Sequence, residues 1–227
     1  MATEFKIPLH RFDTNLLPPD ARQVGTDAFK TAVMMHFAAE YAARQDVAYV
    51  QPNYAYTIAG VPNDPKFGKQ WALRNTGARG GVPGADIGAV AAWDRETGDR
   101  DVVVGIIDTG IDYTHPDLVD NLWINTVEQV GTPGVDDDGN GIVDDIYGAR
   151  FTDGTGEPTS GDPRDGMFHG THVAGIIGAN GGNGVGVAGV NHAVRMMAVK
   201  AFDNFGIGYT ADAVAALEYA VAMGARV

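Results

Sequence analysis

The chain has 227 residues, 44% of them hydrophobic and 20% charged, and its 16 basic and 29 acidic side chains give a formal net charge of −13. That length suits one large domain or two small ones, the composition excludes wholesale disorder, and the acidity argues against nucleic acid or an anionic membrane surface as partner. Cysteine is absent, which excludes disulfides, zinc–thiolate sites and thiol catalysis, and no apolar run approaches the roughly 20 residues of a membrane span.

No signal-peptide pattern is visible at the start of the chain. Phe29, Ala32, Val33, His36, Phe37, Glu40 and Tyr41 recur at helical spacing and predict an amphipathic helix over 28–43. A strand is expected at 47–50 and a turn-rich linker at 60–65. Residues 1–60 therefore read as a small α/β unit and 61–227 as a larger domain. In the latter, Asp86 is expected to cap a helix carrying Ile87, Val90, Ala91 and Trp93 and stopped by Gly98. The apolar run 102–107 predicts a strand buried on both faces, ending in Asp108-Thr109-Gly110. Residues 131–166 form a long Gly-, Asp- and Pro-rich loop within a βα frame, a placement that points to function. A helix of small residues over 171–178, a buried strand over 194–201 and a helix capped by Thr210 and ended by Gly224 follow, and 225–227 begins another strand. The fold class is α/β: a doubly wound, mainly parallel sheet preceded by the small α/β unit.

Asp108 follows an apolar parallel strand, so its carboxylate belongs at the carboxyl end of the sheet, where open α/β sheets place ligands. His169 opens a helix in His169-Gly170-Thr171-His172-Val173-Ala174-Gly175. The helix dipole there favours a neutral imidazole, suited to a base, and His172 is expected to hydrogen-bond structurally. In 136–145, Asp136, Asp138, Asn140 and Asp144 occupy positions 1, 3, 5 and 9 of an EF-hand-like calcium loop. Gly141 stands at position 6 and the Ile142 carbonyl at position 7. Tyr147 occupies position 12, so a bidentate ligand must come from Asp144, Asp145 or elsewhere. Mutually repelling carboxylates at this density make Ca2+ the expected cofactor.

Val104-Gly105-Ile106-Ile107-Asp108-Thr109-Gly110-Ile111-Asp112, followed by His115-Pro116-Asp117-Leu118, resembles the aspartate motif of the subtilisin-like serine proteases. Residues 169–175 resemble their histidine motif, and the likeness continues through 183–190 and 198–203, covering roughly 62–227. The resemblance implies a secreted serine endopeptidase acting on polypeptides through an Asp-His-Ser triad. Asp108 would orient His169, and His169 would relay the proton. It places a substrate-pairing edge at Phe202, Gly206, Ile207, Gly208 and Tyr209. It also implies a second calcium site at Asp64, Asp117 and Asn183, with Asp162 and Asp165 as candidates for a third. Residues 1–60 resemble the intramolecular inhibitory propeptide. The family's serine motif is absent, and the sole serine, Ser160, lies in a Gly-Glu-Pro-Thr-Ser-Gly loop lacking that motif's context. The chain therefore reads as the N-terminal part of a protease, inactive without a partner C-terminal part. The alternative reading is a non-catalytic calcium-binding module.

Overall fold

The computed structural model describes residues 61–227 together with Val33 and His36. The chain divides into two compact units, Met1–Tyr56 and Thr57–Val227. Val33 and His36 are helical, in keeping with the helix expected there. The remaining expectations for 1–60, the 47–50 strand included, lie outside the described residues.

Among the described residues of the second unit, three strands form a parallel sheet: β1 (Val103–Asp108), β2 (Gly148–Arg150) and β3 (Arg195–Lys200), in the order β1-β3-β2. Four α-helices accompany them: α1 (Ala89–Trp93), α2 (Thr126–Val130), α3 (His169–Gly178) and α4 (Thr210–Ala222). Beyond α4, the Arg226 N–H donates to the Val103 carbonyl and the Gly105 N–H to that of Val227, both at 2.8 Å. The chain thus begins to pair along the edge of β1 that β3 leaves open, as the sequence pattern of 225–227 predicts.

The side-chain period of two on β3 divides the core into two layers. Met196 and Ala198 pack with Ile106, Leu118, Leu122 and Ala174, the last on α3. Met197 and Val199 pack with Ala149, Phe151 and the α4 residues Ala216, Tyr219 and Ala220. Helices α3 and α4 therefore cover opposite faces, which is the doubly wound arrangement. Each fully buried Val or Met side chain here contributes about 1.5–3 kcal/mol. A third cluster joins Phe67, Leu73, Ala89, Trp93 and Ala188 beneath α1.

Three local expectations change. Asp86 does not cap α1: the N-cap is Gly88, and Asp86 instead accepts the N–H groups of Asn75 and Gly88 at 2.7 Å, closing the preceding turn. The N-cap of α4 is Tyr209, with no side-chain cap, and Thr210 is the first helical residue. The 131–166 loop contains β2, whose three residues Gly148-Ala149-Arg150 are too few to show alternation.

Candidate active site and calcium-binding loops

β1 delivers Asp108 to the carboxyl end of the sheet, and α3 opens on His169 directly opposite. The His169 Nδ1 lies 2.7 Å from Asp108 Oδ1 and 2.9 Å from Oδ2. The Asp108 side chain is 14% exposed and the imidazole 64% exposed, so one face of the pair is anchored and the other is open. The hydrogen bond to Asp108, reinforced by its charge, holds the His169 pKa above the ordinary histidine value. Two glycines permit this approach. A Cβ on Gly170 would stand 2.1 Å from the Gly110 carbonyl oxygen, and Gly110 itself has φ 101°.

Thr109 and Asp165 fix the entry to α3. The Thr109 N–H donates to Asp108 Oδ1 at 2.6 Å. Its hydroxyl donates to Asp165 Oδ1 and accepts the Gly170 N–H, both at 2.9 Å. Asp165 also receives the N–H groups of Met167 and Phe168 and both the N–H and hydroxyl of Thr171. Burial pushes the Asp165 carboxyl up, but these hydrogen bonds outweigh it and the net shift is downward. They hold Phe168 in the left-handed region at φ 70°. Asp165 thus organises the helix start; Asp162 accepts the Tyr113 hydroxyl and the Arg164 N–H. His172 is exposed, and its ring has no hydrogen-bonding partner among the described residues.

The candidate substrate edge folds back on itself. Phe202 and Gly208 form an antiparallel bridge, the Asp203 N–H donates to the Ile207 carbonyl at 2.8 Å, and Asp203 Oδ1 accepts the N–H groups of Phe205 and Ile207. Gly206, Ile207, Gly208 and Tyr209 are exposed, and the Gly208 N–H and C=O have no partner among the described residues. An extended peptide needs such unpaired groups to add as a strand.

The acidic loop brings together only part of its expected ligand set. Oxygens of Asp136, Asp138 and Glu128 lie within 4.8 Å of one another. Glu128 escaped the sequence reading because α2 delivers it from outside the motif. It is buried and accepts the N–H groups of Asp137, Asp138 and Asp144, which knits the loop around it. Asn140 Oδ1 accepts the N–H of the buried Ile142, and Asp144, at φ 53°, accepts the Gly134 N–H. Asp145 is fully buried and takes hydrogen bonds from Asn125, Asn140 and the Tyr219 hydroxyl. Burial raises its carboxyl pKa. Asp144 and Asp145 are thus engaged in bracing the loop.

The second set is joined through the 182–187 loop. Asp117 is buried and accepts the Asn183 side-chain amide and the Val187 N–H, while Asn183 Oδ1 accepts the Val185 N–H. Asp64 is 4% exposed; its Oδ2 accepts the Gly182 N–H, but its buried Oδ1 has no partner. A buried, unpaired carboxylate oxygen is costly unless a cation neutralises it.

The profile of the Subtilase family matches residues 99–227. Subtilisin-like protease 1 of Plasmodium vivax is 46% identical over 121 residues, covering 53% of this chain and 18% of that protein. The thermophilic serine proteinase of Bacillus sp. strain AK1 is 35% identical over 182 residues, covering 80% of this chain and 36% of that one. The halolysin-like extracellular serine protease Nep of Natrialba magadii is 29% identical over 210 residues, covering 92% and 31%. The chain therefore spans about a fifth to a third of the length of these relatives. With the family profile matched over more than half of its length, on the segment that carries Asp108 and His169, the chain belongs to the subtilase family of serine proteases.

Proposed function

We propose that this chain carries the aspartate and histidine of a calcium-stabilised serine endopeptidase. The observation that carries the reading is the 2.7 Å contact between His169 Nδ1 and the carboxylate at the end of β1. In this role Asp108 accepts the Nδ1–H and fixes the tautomer. Nε2 then takes the proton of a serine hydroxyl as it attacks the scissile carbonyl, and returns it to the leaving amine. An extended polypeptide pairs with Gly206–Gly208, and Phe202 and Tyr209 flank its side chains.

Ser160 is not the nucleophile. Its hydroxyl oxygen accepts the Asp162 N–H and its carbonyl the Arg150 N–H, which ties it into the loop beside β2. Residues 1–227 thus supply the base and its orienting group but no attacking hydroxyl, and on their own should not turn over peptides.

Asp136, Asp138 and Glu128 would hold one Ca2+, and Asp64, Asp117 and Asn183 another; the bound ion supplies charge neutralisation and rigidity. Residues 1–60 serve as the inhibitory propeptide of a secreted zymogen.

A fluorogenic peptide assay in calcium tests the proposal, using the chain alone and mixed with the serine-bearing remainder of a subtilase catalytic domain. The expected result is hydrolysis only in the mixture, abolished by His169→Ala. Hydrolysis by the chain alone that is lost in Ser160→Ala would overturn the assignment. No hydrolysis in a mixture shown to associate would favour the calcium-binding module.

A further inference from the structure

Lys200, at the end of β3, is the largest of the fully buried side chains and is only 1% exposed. Its backbone is the register partner of Asp108 across the sheet. The ammonium donates to the Thr109 carbonyl at 2.5 Å and to Asn204 Oδ1 at 3.0 Å. No carboxylate lies within ion-pair distance of it among the described residues, although Asp165, Asp203 and Asp108 act on it from farther away and Arg150 opposes them. A buried ammonium without an ion pair is an expensive choice at a position where an apolar residue would fill a strand between two packed layers.

Its two acceptors explain the choice. Thr109 follows the orienting aspartate and also binds Asp165 and the Gly170 N–H, next to His169. Asn204 lies in the segment that leads to Gly206–Gly208, and its side chain is the group that a Cβ on Gly166 would strike at 2.4 Å. One ammonium thus joins the Asp108 turn, the approach to α3 and the root of the substrate edge.

We propose that Lys200 is a positioning residue of the protease site, holding the Thr109 peptide so that Asp108 meets His169 Nδ1 and fixing that pair relative to the peptide-binding edge. The proposal rests on the protease reading, but its test does not need turnover. The charged groups acting on His169 are Asp108 and Asp165.

The chain has no cysteine, so Lys200→Cys introduces a single thiol. Alkylating it in the unfolded chain with bromoethylamine rebuilds a lysine-length ammonium, whereas bromoethane gives a neutral chain. His169 is then titrated by NMR in the refolded forms, with Lys200→Met, expressed directly, as an independent neutral variant. In the neutral forms the His169 midpoint should fall toward about 6.5, the ordinary imidazole value, and the low-field Nδ1–H signal should vanish. The aminoethylated form should recover both. In the unaltered chain, raising the pH should move the His169 and Thr109 resonances with the same midpoint as the Lys200 Nζ signal. That measurement stands even if the neutral forms do not fold. An unchanged or raised His169 midpoint in folded neutral forms would overturn the proposal, because loss of charge alone favours the imidazolium. Resonances that ignore Lys200 titration would overturn it too. Peptide turnover failing in the associated mixture with a serine-bearing remainder, while the Lys200-dependent titration persists, would count against the protease reading and leave this one standing.

Discussion

The Asp108–His169 pair and the 136–145 loop are both built around carboxylates, yet they treat them oppositely. Asp108 sits at the end of an interior strand, with one backbone N–H and one imidazole to satisfy it, and its partner is largely open to solvent. Asp136 is wrapped by the N–H groups of Gly139, Asn140 and Gly141, and Glu128 by three more. The first arrangement leaves a polar group poised to exchange a proton. The second immobilises its anions and gathers oxygens of Asp136, Asp138 and Glu128 within 4.8 Å of one another, a group that could hold a cation.

The contrast can be broken most sharply at the pair itself. In a reconstituted enzyme, His169→Ala should lower kcat by about 10⁶-fold and Asp108→Asn by about 10⁴-fold, the usual scale for the base and its orienting carboxylate in such a triad. Neither change should alter calcium affinity, as read by calorimetry. A parallel loss of calcium binding would show that the two regions are one unit.

The reciprocal test is Asp136→Ala with Asp138→Ala, or Glu128→Gln alone. At free calcium about 100-fold above its dissociation constant, a site contributes about 2.7 kcal/mol by mass action. That increment should disappear from denaturant melts of the loop variants while the His169 titration stays as it was. Equal calcium stabilisation of variant and parent would refute the ligand assignment.

Gly170→Ala comes next. The new methyl must displace the Gly110 carbonyl, which should destabilise the domain by about 1–3 kcal/mol. It should also return His169 toward an ordinary pKa by prising α3 away from β1. The destabilisation is read by denaturation and the detachment by NMR. Loss of stability with an unaltered His169 midpoint would mean that the pair does not depend on this close approach.

The smallest effects are those of pH. The folded His169 pKa is raised by Asp108. Its contribution to stability is therefore full below the unfolded value of about 6.5 and fades as pH rises through the folded value. Base catalysis needs the neutral ring and grows over that same rise, so the two curves should move in opposite directions. The Asp165 pKa is lowered in the fold, so its contribution is present above the ordinary carboxylate range and is lost as pH falls through the folded value. Stability profiles of Asp108→Asn and Asp165→Asn against the parent would separate the two windows.

Much of this could be read from the residues in order. The unbroken apolar run before Asp108 announced β1, and the small-residue stretch around Ala174 announced α3, because each pattern reports a local period or a local packing need. The features that escaped depend on distant partners. Glu128 has no spacing relation to the Asp136 motif until α2 carries it there. Gly148-Ala149-Arg150 becomes a strand only because β3 offers a free edge. The bond from the Tyr219 hydroxyl to Asp145, across 74 residues, was equally invisible, because composition reveals charge but not direction. Asp86 looked like a cap for the same reason, and the turn at Asn75 claimed it.

The hydrogen bonds that Val103 and Gly105 make to residues 226 and 227 place β1 between two neighbours at that end, whereas β2 pairs with β3 alone among the described strands. A strand bonded along both edges and covered on both faces opens only when the surrounding layers open with it. The amides of β3, paired on both edges, and of the Val103–Gly105 end of β1 should thus be among the slowest in the described residues to exchange with deuterium, and those of the 136–145 loop among the quickest. Asp108 stands at the other end of β1, where β3 is its strand neighbour among the described residues and the Ala201 and Phe202 N–H groups donate to its carbonyl, so the proton-transfer geometry is tied to the enclosed strand β3.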